Sequence, residues 1–175
     1  MTDQTARSSI PVQGEPDTPA RISESIVIRV PPETAYAAVS DVARMGEWSP
    51  ECRGAWIIGR GGPARTGMRF IGRNRARWLP WPTLCRVVEA DPGRTFSFHV
   101  SFLGIRVAGW TYRFSPLAEG CEVWEEWRDH RAGPFGMALT AVTPLVTGVA
   151  RRRARNRATM RTTLVALRDS LGSGR

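Results

Sequence analysis

The sequence predicts an α+β domain, in which a seven-stranded antiparallel sheet wraps around a long C-terminal helix and two short helices follow the first strand. Three observations predict it. One alternating segment precedes a short helical one, and alternating apolar residues recur between 52 and 129, separated by turn residues. From 134 onward the apolar period becomes helical. Because such a sheet is apolar on one face, we expect the last helix to cover that face.

The first elements follow from alternation and from proline. Residues 21–30 place Ile22, Ile26 and Ile28 at alternating positions, which predicts a strand with one buried face. Two prolines follow and precede ETAYAAVSD, which predicts a short helix because proline is tolerated in a first helical turn. A second short helix is expected over VARMGEW, ending before Ser49-Pro50.

The middle of the chain predicts an antiparallel meander of six strands joined by short turns. In the clearest of them, Phe96, Phe98, Val100 and Phe102 point to one face. The segment 78–82, WLPWP, is not expected to form a regular strand interior because it contains two prolines. The expected strands are 52–58, 66–74, 83–89, 95–102, 105–115 and 121–129.

A single long helix is expected over 134–171, bent near Pro144, with Met160, Leu164 and Leu167 on its apolar face. The uncharged stretch 132–150, followed by three Arg, has the length of a membrane span. Its Pro, Gly and Thr content favours a buried helix, or one that touches a membrane surface.

Length and composition predict one domain with tails. We expect a disordered tail over 1–20, a folded domain over 21–171 and a short tail over 172–175. Three Cys do not make a disulfide framework and fit a reducing compartment. The N-terminus lacks the apolar region of a signal peptide, so the expected location is the cytoplasm, with peripheral membrane contact as an option.

Positive charge is concentrated in two segments. All 25 basic residues are Arg; residues 60–77 carry six of them and no acid, and 151–161 carry six more. Such segments attract the phosphates of anionic lipid or of nucleic acid. The absence of Lys equally fits a coding bias in a solubilising surface. Without a nucleic-acid motif, nucleic acid is the less favoured partner.

Three segments resemble the START-like superfamily, also called helix-grip or SRPBCC, in its polyketide cyclase/dehydrase and lipid-transport branch. The first contains the pattern Asp41, Trp48, Ser49, Pro50. The resemblance covers about residues 21–171 and implies a cavity for a hydrophobic molecule between sheet and helix. It does not specify the ligand, because one fold hosts many functions. The matching segments are 24–51, 66–100 and 109–129.

Strong chemical motifs are missing from the sequence. It has no Gly-rich phosphate loop with a Lys, no CxxC pair and no His or Cys cluster at metal-ligand spacing. Cys52, Cys85 and Cys121 stand alone and are expected to act as small buried hydrophobes. We therefore expect neither a cofactor nor a metal.

Glu125 is the main candidate for chemistry. It lies between Val123 and Trp127 on a strand face that should be apolar, where a lone carboxylate is costly unless it is paired or protonated. With Tyr112 and Asn74 it would orient a ligand carbonyl or hydroxyl, or move a proton in an aldol-type cyclisation or a dehydration. If the strand slips by one residue, Glu125 instead points to solvent beside Glu126.

The aromatic residues of the concave face predict either a filled core or the wall of a ligand cavity. Binding for transport or sequestration is the leading hypothesis, and a metal-free cyclase or dehydratase is its enzymatic version, with Glu125 and Tyr112 as catalytic candidates. The alternative is a regulatory protein that binds nucleic acid or anionic membrane through its Arg segments. The ligand-binding candidates are Trp48, Phe70, Asn74, Phe98, Trp110, Tyr112, Glu125, Trp127 and Met137.

Two further groups have weaker functional interpretations. Trp78 and Trp81, beside several Arg, would form a pocket lip that enters a membrane or stacks on bases, or would close one end of the core. His99 has the opposite parity to Phe98 and His130 follows a strand end, so both are expected at the surface.

Overall fold

The computed structural model describes residues 21–76, 79–131 and 152–173. In these ranges, seven strands form one antiparallel sheet in the order β1-β7-β6-β5-β4-β3-β2. The chain order is β1 (Arg21–Ile28), α1 (Pro32–Ser40), a 3₁₀-helix (Met45–Glu47), β2 (Cys52–Ile58), β3 (Arg69–Ala76), β4 (Leu79–Asp91), β5 (Thr95–Phe102), β6 (Ile105–Leu117), β7 (Gly120–Asp129) and α2 (Arg152–Gly172). The predicted fold class is confirmed, with a 3₁₀ turn as the second short helix.

On each strand, every second side chain points toward the helices. Ile22, Phe96, Phe114 and Val123 are buried on that concave face, as alternation predicts. The concave face is covered in two parts. Tyr36 of α1 packs edge-on against the rings of Phe96 and Phe114, and Met160, Leu164 and Leu167 of α2 are buried.

One prediction about the strands is wrong. Pro80 and Pro82 lie inside β4, opposite Arg75 and Arg73 of β3. Strand β5 pairs with β4 only from Leu84 onward, so the proline segment has a hydrogen-bonding neighbour on one side alone. Proline is tolerated there because an edge strand does not need every N–H.

Ion pairs join the C-terminal helix to the N-terminal part of the chain. Arg157 and Arg161 of α2 both contact Glu24 of β1, at 3.3 and 2.9 Å. Arg155 contacts Glu51, just before β2, at 2.6 Å. These three Arg of the segment 151–161 therefore face carboxylates of the same chain, which reduces what they can offer to external phosphates.

Some predictions fall outside the described residues. These are the tail over 1–20, the beginning of the long helix with its bend at Pro144, and the uncharged stretch 132–150. Among the helices of the described ranges, none is long and apolar enough to cross a membrane.

Replacement of Glu24 by Gln tests the attachment of α2. We expect Glu24→Gln to lower the free energy of unfolding by about 1 kcal/mol, because partly exposed ion pairs contribute about that much. Arg168→Gln is the control, since Arg168 pairs with Asp169 on the same helix and has no ion pair with another described element. Urea unfolding measures both. Equal effects of the two substitutions would contradict an attachment through Glu24.

Candidate functional site

A cavity of about 190 Å³ lies between the concave face of the sheet and α2. It is larger than the cavity of about 150 Å³ that binds one benzene in an engineered protein core. Its wall is mainly apolar, as expected for a small-molecule site. Aromatic and thioether side chains from five strands, from α2 and from the 3₁₀-helix contribute, including Met45, Phe70, Trp81, Phe98, Trp110, Trp127 and Met160.

Strand register places these side chains side by side. Phe98 of β5 pairs with Trp110 of β6, and Trp110 pairs with Trp127 of β7. Because paired residues point to the same face, the three strands present one aromatic row to the cavity. Phe70 of β3 extends the row, with its ring centroid 5.4 Å from that of Phe98.

Two carboxyl groups interrupt this apolar wall, namely Glu51, which pairs with Arg155 at 2.6 Å, and Glu125. Glu125 lies opposite Tyr112 on β6 and is only 2% exposed. The Tyr112 hydroxyl donates a 2.6 Å hydrogen bond to Glu125 Oε1. Glu125 Oε2 has no hydrogen-bond partner among the described residues, although Glu125 lines the cavity. An unpaired buried carboxyl oxygen of this kind is uncommon in folded proteins.

Burial makes this carboxyl group a weak acid. Desolvation raises the pKa of Glu125 to about 8, the hydrogen bond from Tyr112 opposes the rise, and nearby Glu24 adds to it. Burial also raises the pKa of Tyr112 well above its usual value, and the adjacent carboxyl group adds to this. At neutral pH the pair is mostly uncharged, so Glu125 can donate a hydrogen bond as well as accept one.

A second polar group lies on β3 and β4. Asn74 Nδ2 donates a 3.0 Å hydrogen bond to Thr83 Oγ1, and both residues line the cavity. Gly72 beside them has no side chain, and a Cβ there would lie 2.9 Å from Thr83 Oγ1. The glycine therefore keeps space over the threonine hydroxyl.

Two other elements add polar side chains to the cavity wall. Asn156, Thr159 and Thr163 line it from α2. At the end of β7, Arg131 lines it and forms a two-point ion pair with Asp129, with N–O distances of 2.9 and 2.6 Å. The carboxylate of Asp129 compensates this charge, so the described wall offers a ligand hydrogen bonds more than net charge.

Most of the ligand-binding candidates share the cavity wall. Trp48 is an exception, because it is buried but does not line the cavity. Met137 lies outside the described residues. The expected trio is only partly assembled: Glu125 bonds to Tyr112, whereas the amide of Asn74 bonds to Thr83.

The tryptophan and histidine predictions have mixed outcomes. Trp81 is 5% exposed and lines the cavity, so it closes part of the core and is not an exposed lip; Trp78 lies outside the described residues. His99 and His130 lie outside the cavity wall, partly exposed, with Arg106 donating to Nε2 of both. Burial, followed by this guanidinium, lowers the pKa of His99 and of His130.

Sequence reasoning missed the polar residues of α2. Asn156, Thr159 and Thr163 are spaced by three and four residues beside Met160, which is one face of a helix. That spacing could have identified them, because polar residues beside an apolar stripe lie at the border of the buried face.

The cysteines supply neither a nucleophile nor a metal site in the described ranges. Burial raises the pKa of Cys85 to about 12, so its thiol stays protonated at neutral pH. Burial also raises the pKa of Cys52. Among the described residues, no group of three or more His, Cys, Asp or Glu could hold a metal ion.

A helix against a curved antiparallel sheet, with a cavity between them, agrees with comparisons to known proteins. The model of the family described as polyketide cyclase / dehydrase and lipid transport matches residues 19–169. The chain belongs to this family. Among curated proteins, none matches the sequence.

Solved structures similar to this family member include two bacterial proteins. A Polyketide_cyc-like protein from Corynebacterium glutamicum is 31% identical, with a TM-score of 0.59; the match covers 89% of this chain and 93% of that one. A START superfamily protein from Mycobacterium smegmatis is 14% identical, with a TM-score of 0.60, and the match covers 86% and 98% of the two chains.

A third similar structure is StfQ, a di-domain ARO/CYC protein from the steffimycin biosynthetic pathway. It is 15% identical with a TM-score of 0.65, and the match covers 87% of this chain but 50% of StfQ. At this identity the similarity shows the fold shared with the family.

The raised pKa of Glu125 predicts a pH-dependent stability. An unfolded Glu loses its proton near pH 4.5 and the folded one near 8, so the folded state binds more protons between these values. Stability from this group is present below pH 4.5 and is lost as pH rises through 8. For the wild type, we expect the free energy of unfolding to fall by an amount on the order of a few kcal/mol between pH 4.5 and 8.5 because of this group. Glu125→Gln should remove this fall, which urea unfolding at a series of pH values measures.

Glu126→Gln is the matched control for this measurement. Glu126 is the next residue and is also buried, but it pairs with Arg21 and Arg128 and does not line the cavity. It should keep the pH-dependent loss that Glu125→Gln removes. Parallel curves for the wild type and Glu125→Gln would contradict the raised pKa.

Proposed function

We propose that this protein binds a mostly apolar, uncharged small molecule in the cavity between the sheet and α2. One observation carries the proposal, namely the cavity-lining residue Glu125, whose buried Oε2 has no hydrogen-bond partner among the described residues. Buried polar groups are nearly always hydrogen-bonded, so a ligand that brings a hydrogen-bonding atom to this part of the wall would supply the missing partner. The family, whose description includes lipid transport, supports a hydrophobic ligand.

The cavity wall favours particular features in the ligand. The row of Phe98, Trp110 and Trp127 suits a flat or branched apolar body. A protonated Glu125 donates to a neutral oxygen such as that of a ketone, quinone or ester. A ligand carboxylate at this point is disfavoured, because it would repel the ionised form of Glu125 and would itself be desolvated.

A first test combines native mass spectrometry with binding of Nile red, a neutral apolar dye with one carbonyl. The cavity is partly open to solvent, so part of this dye, which is larger than benzene, can remain outside it. We expect the purified protein to carry a discrete added mass that solvent extracts as an apolar compound, or to bind Nile red. Glu125→Gln should keep the dye affinity within about twofold, because the amide also donates; Glu125→Leu should lower it by roughly 2- to 10-fold.

Two further variants locate the dye. Thr163→Leu should weaken Nile red binding, because it fills space on the α2 side of the cavity, where Thr163 is buried. Glu126→Gln should leave the affinity unchanged. An apo mass together with no dye binding would overturn the proposal and would mean that the aromatic residues only fill a core.

A second candidate function is acid–base catalysis of a cyclisation or dehydration without a metal. The observation that favours it is the pKa of Glu125 of about 8, since a general acid or base works best when its pKa is near the ambient pH. Ionised Glu125 would take a proton from the carbon next to a ligand carbonyl. Protonated Glu125 would give one to a departing hydroxyl, with Tyr112 bonded to the same carboxyl group.

Turnover and binding separate the two functions. With a poly-β-ketone analogue as substrate, Glu125→Gln should abolish product formation while Nile red affinity stays within about twofold, because the amide cannot transfer the proton. Product analysis by liquid chromatography and mass spectrometry measures turnover. Equal loss of turnover and binding would rule out a proton-transfer role for Glu125.

A further inference from the structure

We propose that the outer face of strands β2, β3 and β4 docks on an anionic phospholipid membrane. This face, opposite the cavity, is called the basic face below. It is defined by six residues, namely Trp56, Ile58, Arg69, Arg73, Leu84 and Arg86.

Strand register arranges the basic face in rows. Trp56, Ile71 and Leu84 pair across β2, β3 and β4 and form an apolar row. Because alternation sends every second residue of β3 inward, the neighbouring outward positions of that strand are Arg69 and Arg73. The apolar row therefore has a guanidinium group on each side.

The apolar residues of this face are unusually open to solvent. Trp56 is 61% exposed, Leu84 42% and Ile58 41%. The guanidinium of Arg73 lies 5.0 Å from the ring centroid of Trp56. An exposed indole next to Arg is the combination found where proteins meet the headgroup region of a membrane.

In the described part of the chain, no carboxylate neutralises the charges of this face. Arg69, Arg73 and Arg86 form no ion pair there, whereas Arg155, Arg157 and Arg161 of α2 do. All three Arg of the basic face are exposed. An anionic surface is the complement of such a face, and each Arg near it contributes attraction that salt weakens.

A surface depression at one end of the basic face suits a phosphate group. It is lined by Arg53, Arg73, Arg75 and Pro80, and Asn74 also borders it. Asn74 lines the internal cavity too, so the depression adjoins the cavity at this residue. A membrane on this face would therefore lie next to that end of the cavity.

Lipid explains the composition of the basic face better than nucleic acid does. Nucleic acid would use the Arg residues and stack a base on Trp56, but it gains little from exposed Ile58 and Leu84. The hydrocarbon border of a membrane accepts both aliphatic and aromatic side chains. The docking does not require a ligand in the cavity, so it stands or falls separately from the proposed function.

Sedimentation with vesicles tests the docking, with the full chain and no added ligand. Phosphatidylcholine vesicles should bind it weakly, and vesicles with 30 mol% phosphatidylserine should bind it strongly in low salt. The triple variant Arg69→Gln/Arg73→Gln/Arg86→Gln should lower the partition coefficient by about tenfold or more, and Trp56→Ser should lower it without changing net charge.

The control removes as many charges from elsewhere. Arg29, Arg94 and Arg153 are exposed and outside the basic face, so Arg29→Gln/Arg94→Gln/Arg153→Gln should retain most of the binding. Circular dichroism melting checks that all variants fold. Equal losses in both triple variants, or no binding to anionic vesicles, would overturn the proposal. Tighter binding to duplex RNA or DNA than to vesicles, with the same loss in the first variant, would also overturn it.

Discussion

Strand alternation in one continuous antiparallel sheet is the constraint on which the cavity and the outer surface both depend. Residues paired across neighbouring strands point to the same side, so Phe98, Trp110 and Trp127 meet in a row. The same rule on β3 sends Phe70 inward and Arg69 outward. A slip of one residue in any strand would exchange the two surfaces. The strand register therefore determines both which side chains line the cavity and which side chains lie on the outer face of the sheet.

Two adjacent glutamates of β7 are buried on opposite faces of the sheet, and their carboxyl groups are stabilised differently. Glu126 faces outward and is compensated by Arg21 and Arg128. Glu125 faces the cavity, receives one hydrogen bond from Tyr112, and keeps its proton because burial disfavours the charge. The two ion pairs of Glu126 compensate its buried charge and occupy its carboxylate oxygens, so neither oxygen is left for a ligand. Protonation leaves one oxygen of Glu125 without a partner among the described residues, which is why the proposed ligand site includes Glu125 and not Glu126.

Much of the fold was predictable because alternation and helical period are local properties of the sequence. The inward parity of Val123, Glu125 and Trp127 follows from them directly. The proline segment of β4 was not predictable in this way, because tolerance of Pro80 and Pro82 depends on where β5 stops pairing. The difference between buried Trp81 and exposed Trp56 was also not predictable, because each of them lies among Arg and Pro or Gly residues in the sequence. The separation of Asn74 from Tyr112 was not predictable either, because it depends on which strands lie between them in the assembled sheet.

The attachment of α2 to β1 through Glu24 joins the two ends of the described chain, and this affects the order of assembly. During synthesis the strands emerge before α2, and β1 must wait for β7 because the two pair only after the meander is complete. Among the described elements, α2 is therefore the last to be synthesised, and the aromatic row depends on this late element for its cover.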